Sequence, residues 1–507
     1  MSPEASSEPT GADLIIRSAR IVSEDGTVTE PVDIRIAGGR VADIGGVTAH
    51  GQSARELDAG GRWVIPGLWD HHVHVTQWAR WGERLDVSGC TAPQAVIDRV
   101  HHHIEEVDSS SGQQDSRVIL GVGHRPSQWS EPASVTALDA VSGRHPVILI
   151  SGDAHSGWLN SRSLQVCGLE HRTGLVDENE WFAVFARLDE IAPTQTPEFD
   201  QVQRAMTAAL TRGIVGITDL EFAGAHRVWP ERIAAGMIAP RIRAGFYPDA
   251  LDEVLGSGLP GSGLRTGDPL AHNVLLGPLK MITDGSLGSL TAHCCDRYAP
   301  EPHPFGKQNF SGAQIRELLS RATAGGLDVA VHAIGDAAVT EALDAFGVTG
   351  AHGSIEHAQL MRRDDLVRMA GLGVVASVQP AHLLDDRAVT ERVWADRADR
   401  CFLLQSMHRA GVALALGSDA PIAPLDPWLA IDAAVWRAEP GEPAWNAAER
   451  LTVGQALFSS TNGAPPLAVG SLGDVVLLDD DPFGVRPRDV RVAATVIGGD
   501  PVWSALG

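Results

Sequence analysis

Three histidines, His71, His72 and His74, fall within four positions directly after an apolar run and a Pro-Gly step in VIPGLWDHHVHV, Val64 to Val75. Side chains two apart on an extended strand share a face, so His72 and His74 aim at one point while His71 points into the surrounding packing. Neutral imidazole is a borderline ligand suited to zinc and similar divalent ions. By itself the pair is a weak signal, because packed or surface histidines show the same spacing. His332 in VAVHAIGD and His357 in SIEHAQ end two further apolar runs, and Asp419 follows VALALGS. A carboxylate beside a core is costly unless a cation or hydrogen bonds compensate it, so the group together points to a metal.

Lys280, in LGPLKMITDG, also follows an apolar run. Charged and buried it is expensive, so it reaches water, pairs with a carboxylate, or is converted to a carbamate able to bridge two metals. Asp284 in the same segment offers another oxygen. The five cysteines are scattered without a C-x-x-C pair, which leaves nitrogen and oxygen as the ligand atoms.

Eight apolar strand candidates must position these groups: WVIPGLWDHHV, HPVILISGDAH, GIVGITDLEF, NVLLGPLKMITDG, LDVAVHAIGD, HGSIEHAQ, LGVVASVQP and VALALGSDAP. Helical stretches such as SGAQIRELLSRATAGG alternate with them, which predicts an α/β fold, a (β/α)8 TIM-like barrel, with an open doubly wound sheet ranked second. Nearly every candidate finishes in polar residues, and strand C-terminal ends converge at one mouth of such a barrel. Both chain ends carry short strands with Gly-rich turns, including a hairpin at Gly38-Gly39. The expected organisation is a disordered leader over 1–11, a small β-sandwich domain from 12–63 and 465–507, and a barrel over 64–464 with insertions at about 78–145.

The 507 residues carry 64 acidic against 40 basic side chains, a formal charge of −24, which argues against nucleic acid or an anionic membrane as partner. The N-terminus lacks the basic start and apolar core of a secretion signal, making a cytoplasmic protein the default. A homodimer is a fair expectation from size. His101 to His103, in HHHIEE, read as a solvated helix surface, and neither a phosphate loop nor a G-x-S-x-G elbow is present.

IPGLWDHHVH, DAHSGWLNSRSL, LKMITDGSLGSLTA, VAVHAIGDAA, SIEHAQ, SVQPAHLLDD and ALALGSDAPIAPLDP occur in this order over almost the whole chain. They resemble the amidohydrolase superfamily, specifically its amidohydrolase-3 branch of YtcJ-like metal-dependent hydrolases. The resemblance implies two zinc ions: one held by His72, His74 and Asp419, the other by His332, His357 and an N6-carboxylated, bridging Lys280. It further implies that a water acidified by the metal attacks a substrate carbonyl while Asp419 moves its proton to the leaving nitrogen. His382 is the candidate carbonyl polariser, and His155, Trp158, Asn160 and Gln379 are candidate contacts for a small-molecule substrate. Asp70 is expected to orient the first histidines from behind, and Glu356 to face away from the site in an ion pair. The leading activity is hydrolysis of a non-peptide carbon–nitrogen bond in an amide, N-substituted formamide or cyclic amide. Alternatives are an ester, carbamate or lactone substrate at the same metals, or a barrel that has lost turnover and binds a small ligand.

Overall fold

The computed structural model describes residues 13–46, 54–82, 84–111, 116–126, 129, 131–152, 156–185, 187–192, 198–222, 224–256, 265–288, 290–298 and 304–506. The leader expected at 1–11 and His155 lie outside the described residues. Two compact units are present, one made of residues 1–75 and 206–507 and the other of 76–205.

The larger unit contains the (β/α)8 barrel. Its strands, in chain order, are Leu68–Val73, Ile214–Asp219, Arg241–Phe246, Val274–Ile282, Val329–Ala333, Gly353–His357, Val375–Val378 and Leu414–Leu416, each parallel to the next. The eighth strand returns to the first through a parallel bridge between Val73 and Ala420. The Asp419 amide donates to His72 O (2.7 Å) and the His74 amide to Ala420 O (2.9 Å), which carries the closure up to the mouth. Outward faces of the strands, including Phe246, Leu276, Leu279, Val331 and Ile355, join one apolar core with Leu319, Val339, Leu343, Phe346 and Met369 of the surrounding helices. Burial on both faces explains why these strands read as continuous apolar runs rather than alternating ones. Sequence also marks the helix starts: Ser311 and Gln314 form a reciprocal capping box ahead of Gly312–Ala324.

Two strand expectations need correction. Arg241–Phe246 is the third barrel strand although RIRAGF carries two arginines. The strand tolerates them because Arg241 is bound by Asp474 through Nε (2.6 Å) and Nη2 (3.0 Å), while Arg243 lies over the Trp69 ring at 5.0 Å. HPVILISGDAH, in contrast, supplies no barrel strand. Its Val147–Ser151 is the central strand of the smaller unit's own sheet, paired with Ile119–His124 on one side and Ser156–Leu159 on the other. All five residues are buried, so its local pattern is the same as that of a barrel strand.

Both termini build a second sheet in the larger unit. Its order is Asp500–Ser504, Val492–Ile497, Val475–Leu478, Trp63–Pro66, Leu14–Ile21, Val32–Ala37 and Arg40–Ile44, with Arg55–Asp58 also pairing with Leu14–Ile21. Leu14, Ile16, Ile34, Val64, Val475, Leu477 and Val496 form its separate core. Gly38 and Gly39 turn the hairpin with φ of 57° and 73°, a left-handed pair that L side chains resist. Neither chain end could bury a sheet face alone, which is why the two combine.

The smaller unit runs from 76 to 205, well beyond the insertion expected at about 78–145. Val96, Val100, Ile104, Leu138, Leu149 and Trp158 pack its core. On its helix Pro93–Ser111, His101 and His102 are exposed and face Glu105 and Glu106 one turn on, as a solvated surface would. Among the described residues no helix is long and apolar enough to cross a membrane.

Candidate metal centre

Strand geometry at the barrel mouth departs from simple alternation in two places, and both departures build the site. Asp70 pairs with Ile217 and Val73 with Asp219, so the first strand carries one extra residue against its neighbour. This bulge breaks the alternation at His71 and His72. His71 lines a cavity of about 430 Å³ inside the lower barrel together with Thr218, Arg243 and Ser377, rather than entering apolar packing. His72 belongs to the group above. On the sixth strand His357 has φ 71°, a left-handed conformation uncommon outside glycine, which lets both Glu356 and His357 face inward. Asp419 is likewise left-handed, with φ 56°. Gly417 just before it has no room for a side chain, since a Cβ there would stand 2.8 Å from the His72 amide and 3.0 Å from Asp70 Oδ1.

His72 Nε2 and His74 Nε2 each lie 3.4 Å from the same oxygen, Asp419 Oδ1. His72 Nδ1 is 2.7 Å from Glu356 Oε2, so the ring donates there and its Nε2 carries the lone pair. A lone pair facing a carboxylate oxygen has no hydrogen between them, and at 3.4 Å the contact has the spacing of two ligands on one ion. Ligand atoms held about 2.0–2.2 Å from a tetrahedral zinc stand about 3.4 Å apart. The donor set therefore fits a divalent cation.

The other imidazoles crowd the same space. The His332 and His357 ring centres are 4.5 Å apart, those of His72 and His357 5.1 Å. His357, His382 and Asp419 also bring ligand atoms within 4.8 Å of one another. Lys280 is fully enclosed with Nζ 3.2 Å from His72 Nε2. Asp284 is otherwise engaged, accepting from the amides of His293, Ile334 and Gly335 at 2.9–3.1 Å. It also stands 3.4 Å from His332 Nε2.

Burial sets most of the protonation states. It pushes His72 down to about 4 and His357 well below its ordinary value, which keeps both imidazoles neutral and able to ligate. Burial lowers Lys280 to about 8 against the opposing pull of Glu356 and Asp419. For Asp419, burial opposes ionisation but the neighbouring His72, His74 and His357 outweigh it, so the carboxyl falls well below its usual range. Glu356 behaves alike: burial raises it, while the His72 hydrogen bond and the charges around it bring it down to about 2.

A family model, the amidohydrolase family, matches residues 55–503. The chain belongs to the amidohydrolase family. Similar proteins include Protein LONG AFTER FAR-RED 3 of Arabidopsis thaliana, 29% identical across 97% of this chain and 92% of that protein. The putative amidohydrolase YtcJ of Bacillus subtilis is 27% identical across 88% and 90%, and an N-substituted formamide deformylase of Arthrobacter pascens 23% identical across 96% and 97%. Two solved structures, each described as an uncharacterized metal-dependent hydrolase, share the fold. The one from Pyrococcus horikoshii has a TM-score of 0.74 at 24% identity over 94% of this chain and 99% of that one; the one from Pyrococcus furiosus has 0.69 at 26% over 93% and 100%.

In this amidohydrolase several sequence assignments change. The carboxylate that grips an imidazole is Glu356, not Asp70, because the left-handed His357 turns the sixth strand inward. Asp70 instead accepts from the amides of His72 (3.1 Å) and Ser418 (2.9 Å), tying the first strand to the eighth, and burial raises it to about 7. Trp158 is 0% exposed and donates to Ser134 O within the smaller unit. Asn160 there accepts from the amides of Val147 and Ser163 and donates to Ser142 and His145, which uses its full capacity. Both side chains serve that unit's packing, so the substrate contacts expected of them are withdrawn. Gln379 is 1% exposed and donates to Ser377 O, while its backbone oxygen accepts from the His382 amide. Phe222, which sequence reasoning passed over, stacks on His74 with ring centres 5.1 Å apart. Apart from its place after a barrel strand, it had no signal in the sequence.

Replacing Glu356 with glutamine should weaken divalent-metal affinity by about 10–100-fold, because the charge that fixes the His72 tautomer is lost. Competition with a chromophoric chelator measures this; unchanged affinity would show that Glu356 plays no part in metal binding.

Proposed function

We propose that this amidohydrolase is a metal-dependent hydrolase of a non-peptide carbon–nitrogen bond in a small amide, N-substituted formamide or cyclic amide. The observation that carries the reading is the pair of 3.4 Å contacts from His72 Nε2 and His74 Nε2 to Asp419 Oδ1, where no hydrogen bond accounts for the His72 approach. His72, His74 and Asp419 would hold one divalent cation, and His332, His357 and a carboxylated Lys280 would hold a second, with zinc as the metal. A cation in this position supplies Lewis acidity to a substrate carbonyl and lowers the pKa of a water from 15.7 to about 7.

The chain's own groups do the rest. Asp419, ionised, accepts a proton from the attacking water and returns it to the leaving nitrogen. His382, whose Nε2 is 4.0 Å from Asp419 Oδ2, donates to the oxyanion that develops on the carbonyl in this reading. Glu356 keeps the His72 ring oriented. The metal dependence attributed to the Pyrococcus furiosus homologue and the formamide chemistry named for the Arthrobacter relative agree with this assignment.

Removing the metal with a chelator should reduce amide hydrolysis at least about 100-fold, and adding zinc back should restore it. Full activity in metal-free protein would refute the reading. Rates on matched amide and ester pairs then separate the carbon–nitrogen assignment from an esterase at the same centre.

A further inference from the structure

Among the described residues, the mouth of the barrel presents an apolar feature in direct contact with the candidate metal centre. The second strand ends at Asp219, which is fully buried. Its carboxylate accepts from Trp229 Nε1 (2.7 Å) and from the amides of Val75 (3.3 Å) and Glu221 (3.0 Å). Leu220 then donates to Val73 O (2.8 Å), fixing the turn beside the first strand. Two residues on, Phe222 stacks on the imidazole of His74, ring centres 5.1 Å apart and planes 17° from parallel. It also stacks on Tyr247 at 5.1 Å and 28°, and the Tyr247 hydroxyl donates to Leu220 O. Despite two ring partners, Phe222 is 57% exposed. Ile422, 52% exposed, follows the eighth strand two residues beyond the Val73 to Ala420 bridge, with its amide bonded to Asp419 O.

A lone exposed phenylalanine is ordinary. One clamped by stacking against a candidate ligand is a pre-ordered apolar surface beside the reacting carbonyl, and it loses little freedom when a ligand covers it. We infer that Phe222, backed by Tyr247, is the specificity wall of the site and selects substrates with a flat apolar or aromatic substituent next to the scissile carbonyl. The inference rests on the hydrolase reading for its chemistry, but not for the ligand preference itself. Trp158 and Trp181 do not supply this surface, since both are 0% exposed.

The test compares benzylphosphonate with methylphosphonate, two anions that differ only in the ring, by calorimetric titration of the zinc-loaded protein. Wild type should bind the benzyl compound about tenfold more tightly, the gain from covering one apolar ring. Phe222→Ala should bring the ratio close to one, and Phe222→Tyr should restore it. Equal binding of the two by wild type, failure to bind either, or an unchanged ratio in Phe222→Ala would overturn the inference. Turnover of benzyl- and methyl-substituted amides is measured in parallel. A phosphonate ratio that follows Phe222 in a protein without amide turnover would sink the hydrolase reading and leave the wall standing.

Discussion

Replacing His72 with alanine should lower kcat by about a thousandfold or more and strip the protein of tightly held metal, while leaving the barrel folded. His72 is the junction of the site: Nδ1 is committed to Glu356, and Nε2 faces Asp419 and Lys280. Its removal takes away one proposed ligand and leaves two buried carboxylates short of a partner. Breaking such a buried arrangement costs about 3–5 kcal/mol. The apolar core between strands and helices does not include this side chain, so cooperative folding should persist at a reduced melting temperature. Metal content by mass spectrometry, kcat and a thermal melt read out the three parts separately. A variant with near-stoichiometric metal and wild-type turnover would remove His72 from the centre.

Lys280→Ala is expected to cost about 100-fold or more in kcat and to be partly rescued by formate, acetate or propionate. As an ammonium, Lys280 would donate from 3.2 Å to the His72 Nε2 lone pair and so compete with a cation for it. A free amine reacts with carbon dioxide to form a carbamate and release one proton, which replaces that donor with an anionic oxygen ligand. Burial favours the free amine by lowering Lys280 to about 8. The sign follows: carbamate formation and activity should rise with pH toward 8 and fall below it as the amine protonates. Alanine vacates an enclosed stem whose volume a small carboxylic acid can enter. Full activity in the variant without any added acid would eliminate the carbamate, and rescue by chloride at equal ionic strength would reduce it to a charge effect.

Sequence by itself determined the fold class and the chemistry available at one end of it. Apolar runs that finish in His, Lys, Glu and Asp read as strands buried on both faces with polar groups gathered at their ends, and the paired strand textures at the termini call for a shared sheet because neither is large enough alone. Tertiary structure decided which of two neighbours faces the centre. Period-two alternation separates His71 from His72 and Glu356 from His357 correctly only on a regular strand. A bulge opposite Ile217 and Asp219, and left-handed φ values at His357 and Asp419, leave no local mark in the sequence. Arg241–Phe246 was hidden for the same reason, since the groups that neutralise or cover its arginines, Asp474 and Trp69, come from distant parts of the chain. Val147–Ser151 has a barrel strand's local pattern, yet its partners place it in another sheet. A strand's burial is written in its own residues, but its neighbours and the facing of its last side chains depend on contacts across hundreds of positions.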